Sequence, residues 1–176
     1  MKQKTTFITL ALIVAVLALG VAYAAITTQT LNVVGNVTTA TSDDNFDVHF
    51  SGTPGIERSE TVGENENKAK VSANSNGRTA TLSIGELDTK NESVTVTFPI
   101  TNSSPDLGAT LSEVDITGGN DTWFTIDADL SSRDLAANGG TANLVVTVTL
   151  KDTPATDAEA AAATADFYIE FTADAK

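Results

Sequence analysis

The chain has 176 residues, a net charge of −13 and no cysteine. That length suits one domain behind a short leader, and the lack of cysteine excludes disulfides, thiolate zinc sites and iron–sulfur clusters. With 23 acidic against 10 basic residues, the surface repels nucleic acid, whose binding depends on Lys and Arg.

The chain opens with Lys2 and Lys4, followed by an uncharged, mostly apolar run over residues 7–19 and then Ala22-Tyr23-Ala24. A positive start, a short apolar core and a small-x-small end make a secretory signal peptide. Cleavage after Ala24 exposes Ala25 as the mature N-terminus and leaves eight basic against twenty-three acidic residues, a net −15. Signal peptidase is then a transient partner. The same stretch, residues 7–26, also has the ~20-residue length of a membrane-spanning helix, so a retained anchor is the competing reading. A pilin-type helix normally carries an early glutamate, and no acidic residue occurs before Asp43.

Residues 26–37 (ITTQTLNVVGNV) read as one extended segment, with Leu31, Val33 and Val37 on a shared face. Beyond it the period of two that marks a half-buried strand recurs. Phe46, Val48 and Phe50 alternate with Asp47 and His49. Residues 68–73 and 78–84 are weaker strand candidates around Asn74-Ser75-Asn76-Gly77, a hairpin signal. Residues 57–67 are polar and acidic and read as a loop. In residues 93–100, Val94, Val96, Phe98 and Ile100 face one way and Thr95 and Thr97 the other, with Pro99 on the outward face.

Residues 109–116 and 122–128 are predicted as further strands, the second burying Phe124 and Ile126 with Trp123 more peripheral. Residues 144–150 repeat the alternation, and Phe167, Ile169 and Phe171 alternate with Tyr168, Glu170 and Thr172. The alanine-rich stretch 153–166 reads as a helical turn or a long loop. Eight to nine short strands separated by turns predict an all-β protein, a single β-sandwich over residues 41–176 preceded by the extended segment 25–40 and the leader 1–24.

Catalytic chemistry has little to build on. The one histidine, His49, cannot supply a hydrolytic zinc site alone. No H-E-x-x-H or G-x-S-x-G occurs, so neither a zincin nor a nucleophile elbow is present. Asp43-Asp44, Asp127/Asp129 and Glu113/Asp115 are paired carboxylates; the last two pairs, spaced i, i+2 on one strand face, suit calcium, but the glycine-punctuated loop that organises such sites is missing. The expectation is no enzyme, no cofactor and no resident metal. Four N-x-[ST] triplets begin at Asn36, Asn91, Asn102 and Asn120 and read as composition.

The segment just after the cut attracts most attention. A free terminal strand pairs with its own sheet, or leaves and completes a neighbour's, with main-chain hydrogen bonds along its length and alternate side chains in pockets. Head-to-tail donation does not close and yields a filament.

A hydrophobic export signal ending in GVAYAAITTQTLNVVGNV, then DDNFDVHFSG, then a late LVVTVTLKDTPATDAEAAAATADFYIEFTA together resemble the TasA/camelysin group of secreted matrix-fibre proteins and related archaeal bundling-pilus subunits. The resemblance covers most of the chain and rests on layout and composition. It implies a jelly-roll-like sandwich, export with removal of the signal, and extracellular matrix fibres or pili built by N-terminal donor strands. The partner is then a second copy, head to tail, alongside other matrix components. Carried onto this chain, the donor is residues 26–37, with Ile26, Leu31, Val33 and Val37 as anchors. Some members are described as metalloproteases; one histidine does not support that here. The rival reading is a monomeric surface-displayed module that binds glycan or protein through its loops, with Trp123 as the suspect.

Overall fold

The computed structural model describes residues 31–39, 45–59, 71–85, 87, 89–153, 155–156, 159 and 162–176, and for residues 31–39 the backbone and its pairing. The expected leader, its expected cleavage site at Ala22, Ala24 and Ala25, Ile26, Asp43-Asp44 and most of the acidic loop lie outside them.

Among the described residues, twelve strands form in chain order: β1 (Leu31–Thr39), β2 (Val48–Phe50), β3 (Gly55–Arg58), β4 (Val71–Asn76), β5 (Thr79–Ile84), β6 (Ser93–Asn102), β7 (Ala109–Leu111), β8 (Asp115–Gly118), β9 (Phe124–Leu130), β10 (Asp134–Leu135), β11 (Gly140–Leu150) and β12 (Asp166–Ala175). One sheet runs β10-β7-β12-β1-β5-β4, with β8 also on β12; the other runs β2-β6-β11-β9, with β3 also on β6. Their buried faces share one core. The expected all-β, sandwich-like architecture is therefore present, with largely antiparallel sheets.

The alternation read from sequence is what builds this core. Val94, Val96, Phe98 and Ile100 of β6 and Leu144, Val146, Val148 and Leu150 of β11 are fully buried. Each such side chain contributes about 1.5–3 kcal/mol by leaving water. Phe50 joins the two sheets: its ring meets Phe98 edge-on at 6.1 Å and Phe171 of β12 at 6.0 Å. Phe50→Ala empties that junction and is expected to lower stability by about 3–5 kcal/mol in a urea titration.

Three details depart from the sequence reading. First, Pro99 sits inside β6, within a sheet. Its carbonyl accepts from Ser51 N at 2.8 Å, and in an antiparallel strand a residue's N and O face the same neighbour. The missing donor therefore faces the gap between β2 and β3, where nothing asks for it. Second, residues 109–116 are two strands. β7 and β8 pair the same edge of β12, and the register slips by one residue between Leu111↔Ala173 and Asp115↔Glu170. That is a β-bulge. The Ser112 hydroxyl accepts from Thr172 N at 2.9 Å and closes it. The bulge switches the inward parity from Ala109 and Leu111 to Val114 and Ile116, which no regular alternation reveals. Third, β4 continues to Asn76, so the hairpin turns on Gly77 (φ 59°) and Arg78, two residues later than a turn centred on Ser75-Asn76.

β3 and β10 carry no pattern at all. All four β3 residues are exposed, so β3 is held by backbone pairing to β6; β10 is two residues long, pairs β7 and buries Leu135. In the alanine-rich stretch, Glu159 and Ala162 lie in a helical turn. Thr156 and Glu159 form a reciprocal cap, with Glu159 N donating to Thr156 Oγ1 and Thr156 N to Glu159 Oε2, each at 3.2 Å.

Candidate assembly site

β1, which carries three of the four expected anchors, lies in the interior of the larger sheet. It runs parallel to β12 through eight register pairs, Asn32↔Asp166 to Thr39↔Ala173. On its other side it runs antiparallel to β5 through six, Leu31↔Ile84 to Asn36↔Thr79. Among the described strands, β1–β12 is the one parallel pairing.

Leu31 registers with Ile84, Val33 with Leu82 and Phe167, and Val37 with Phe171. All four partner residues are at most 2 % exposed. Between them Gly35 registers with Ala80 and Ile169, both buried. The positions singled out from sequence thus fall in line with the two most hydrophobic rows beside them. Within one chain, the segment pairs with its own sheet, the first of the two alternatives that a terminal strand has. The strand extends to Thr39, two residues past the expected end of the donor.

Sequence reasoning missed the walls of this slot. Leu82 and Ile84 of β5 and Phe167, Ile169 and Phe171 of β12 were legible as strand residues. Their placement on either side of an N-terminal strand was not, because pairing between segments some fifty and over a hundred residues away leaves no local trace.

Beyond the C-terminal end of β12, the 103–108 connection is tied by a buried polar knot. Asn102 is fully buried, and its Nδ2 donates to Leu107 O at 2.9 Å and Ala136 O at 3.0 Å while its Oδ1 accepts from Ser104 N at 3.0 Å. Ser104, also buried, accepts from Asp47 N through Oγ at 2.9 Å and from Asn138 N through its carbonyl at 2.7 Å. The C-terminus is pinned nearby: Lys176 N donates to Gly108 O at 3.0 Å, and Lys176 Nζ reaches Asp134 Oδ1 at 2.7 Å. That hydrogen bond, and the ammonium charge with it, hold the Asp134 carboxyl below its ordinary pKa.

The other sequence candidates scatter. His49 is half-buried on β2, with Nδ1 3.2 Å from Asp47 Oδ2. Trp123 is half-buried and packs against the core. Glu113 sits on the bulge and meets Arg133 at 3.2 Å, while Asp115 faces Glu170 across β8 and β12. Glu113, Asp115 and Glu170 share the rim of an open hollow of about 240 Å³. Asp127 and Asp129 are exposed along β9. Among the described residues, no three His, Asp or Glu are grouped to hold a metal ion, and no helix is long and apolar enough to cross a membrane.

The four N-x-[ST] triplets occupy different environments. Asn102 is enclosed as above. Asn120 spends its amide on Ala162 O and Thr164 O at 3.1 and 3.0 Å. Asn91 stands exposed in a turn at φ 68°. Asn36 registers with Glu170 in β1.

Comparison with known protein families, with curated proteins and with solved structures finds no match.

Proposed function

We propose that this chain is an exported structural subunit, a jelly-roll-like sandwich that polymerises head to tail through its N-terminal strand into extracellular fibres or pili. The observation that carries this reading is the position of β1: the first described strand fills an interior slot between β5 and β12.

Once residues 1–24 are removed, β1 is an interior strand close to a free terminus. It then leaves and is replaced without threading any other element. Departure opens two edges, each with a row of unpaired backbone groups and a buried hydrophobic row beside it. The one segment known to match both edges in register and pattern is β1 itself, from this copy or the next. Exchange between identical copies conserves every contact in the slot, so the balance is set by concentration and by the strain in the connection from Thr39 to Val48. The leader before it supports the same reading: export followed by removal of residues 1–24 frees this segment outside the cell. The resemblance to the TasA/camelysin group points the same way.

The chain has no cysteine, so a paired substitution reports the source of the strand directly. Val34 and Tyr168 are register partners on β1 and β12. Val34→Cys with Tyr168→Cys, oxidised in secreted protein, is expected to give a ladder of covalent multimers on a non-reducing gel, with filaments in electron micrographs of the same sample. An intrachain disulfide alone, at every concentration, would overturn strand donation.

That second outcome favours a monomeric binding module. One observation speaks for it: Tyr168 is 53 % exposed on the outer face of β12, between Asp166 and Glu170. An aromatic ring flanked by carboxylates suits the apolar face and hydroxyls of a sugar. Glycan-array binding by the monomer, lost in Tyr168→Ala, is its test.

A further inference from the structure

The four N-x-[ST] triplets are alike in sequence and unlike in the fold. Such a triplet accepts a sugar in an exported chain, and in a folded one its asparagine amide must reach the surface unbonded. Asn102 fails on both counts: it is fully buried and its amide donates to Leu107 O and Ala136 O. The hydroxyl of its third residue, Ser104, is also spent, on Asp47 N. Asn120 is half-buried, and its amide is held by Ala162 O and Thr164 O. Asn36 lies inside the larger sheet, in register with Glu170 of β12 on one side and Thr79 of β5 on the other.

Asn91 stands apart. It is the third residue of a turn over residues 89–92, closed by Glu92 N donating to Thr89 O at 3.0 Å. Its φ of 68° is the left-handed conformation that this turn position asks of Asn or Gly. The turn is tied down on both sides: Asn91 N donates to Leu150 O at 2.8 Å, Leu150 N to Glu92 O at 2.9 Å, and Thr89 N to Oε2 of the buried Glu92 at 3.0 Å. Backbone groups and Glu92 make all of these bonds. The Asn91 side chain is exposed and, among the described residues, bonds to nothing. Ser93, the third residue of the triplet, opens β6 on its outward row. Its N is held by Ser59 Oγ at 3.0 Å, and its own hydroxyl has no partner among the described residues. A fixed turn thus presents an unspent amide with an unspent hydroxyl two residues on.

We propose that Asn91 is an N-glycosylation site, the one of the four triplets that the folded chain offers. The proposal rests on the export half of the functional reading and not on strand donation. The co-reactant is a lipid-linked oligosaccharide, met as the chain crosses the membrane. Asn91 Nδ2 bonds to C1 of the first sugar as the bond from C1 to the lipid phosphate breaks. The phosphate leaves with the electron pair, Nδ2 gives up one proton, and nothing is oxidised or reduced. The fold loses no contact, whereas a sugar on Asn102 or Asn120 disturbs an amide that makes two hydrogen bonds. The turn belongs to none of β1, β5 and β12, so the added bulk leaves the slot of β1 clear.

The test is mass spectrometry of the full chain secreted by its own cells, intact and as fragmented peptides. The expected result is a mass above that of the bare polypeptide, with the sugar on Asn91 and with Asn102 and Asn120 bare. Ser93→Ala removes only the triplet's hydroxyl and is expected to abolish the added mass while the urea midpoint stays that of the bare parent chain. Asn91→Gly keeps the turn conformation and is expected to abolish it as well. Thr122→Ala breaks the Asn120 triplet at an exposed position and is expected to leave the added mass unchanged. A secreted chain of bare mass would overturn the proposal and leave the export reading standing. Sugar that survives Ser93→Ala, or that sits on Asn102 or Asn120 and not on Asn91, would overturn it too. A chain found only inside the cell would overturn both.

Discussion

Deletion of residues 25–39 is expected to cost more than about 4–5 kcal/mol and to leave a chain that does not fold by itself. β1 is an interior strand with eight register pairs on one side and six on the other. Its loss strips backbone partners from β5 and β12 together and uncovers Leu82, Ile84, Phe167 and Phe171, now at most 2 % exposed. Unpaired edges with an apolar row beside them aggregate. A soluble monomer is thus not the expected product of the deletion, although a strand that merely decorated the domain would give one. The decisive arm adds the missing strand in trans. A peptide of residues 31–39 is expected to restore the folded circular dichroism spectrum and a cooperative melt, in proportion to its concentration. Recovery would establish that the slot accepts this segment from outside the chain, which is the elementary step of strand donation. A deletion variant that melts like the parent would show that β1 is not integral to the sheet.

Asn102→Leu is expected to lower stability by about 3–5 kcal/mol, a large effect for a change of nearly constant volume. The amide holds three backbone groups at once: the carbonyls of Leu107 and Ala136 and the amide of Ser104. Leucine fills the space and satisfies none of them, and each buried group left without a partner costs ~1–3 kcal/mol, not additively. The same three contacts tie the 103–108 connection to the turn before β11, so the loss is also expected to loosen that end locally. Hydrogen exchange should show Asn138 N and Gly139 N, which donate to Ser104 O and Asn102 O, exchanging faster than the amides of β6. Asn102→Asp is the informative companion, since a carboxylate can still accept from Ser104 N but cannot donate. If Asn102→Leu melted within about 1 kcal/mol of the parent, the knot would not be a stability determinant. The burial of Asn102 also carries a consequence for its N-x-[ST] triplet: in the folded protein its amide is enclosed and already bonded, so it cannot accept a sugar.

Strand identity was legible wherever one face of a segment is buried and the other is wet. In β6, β11 and β12 the inward residues alternate mainly with Thr, Ser or acidic residues, and the structure buries that inward set. Where a strand has no buried face, as in β3, or is too short for a period, as in β10, the signal vanishes because backbone pairing is indifferent to side-chain type. The bulge at residues 112–114 defeated the reading of one strand over 109–116 for a related reason. An extra residue flips the parity, so the apolar positions no longer alternate across it. Pro99 misled in the other direction. It marks a strand end in most contexts, yet here the neighbouring edge breaks where its donor is missing.

The candidate assembly site divides along the same line. That Leu31, Val33 and Val37 belong to an extended, half-apolar segment is a matter of local pattern, and the apolar run of residues 7–19 is likewise written in the chain. Which sheet receives that segment, in which direction and between which strands depends on contacts separated by about fifty to more than a hundred and thirty residues. Such pairing is chosen by how all the apolar rows close on one another, with the entropy of long loops set against the core they complete. The amino-acid order by itself determined an acidic, cysteine-free, all-β chain with an uncharged, apolar run near its start. Tertiary structure alone decided that β1 lies parallel to β12, inside the sheet, because a row of alternating apolar residues fits any edge of the right hydrophobicity until the rest of the fold leaves one edge open.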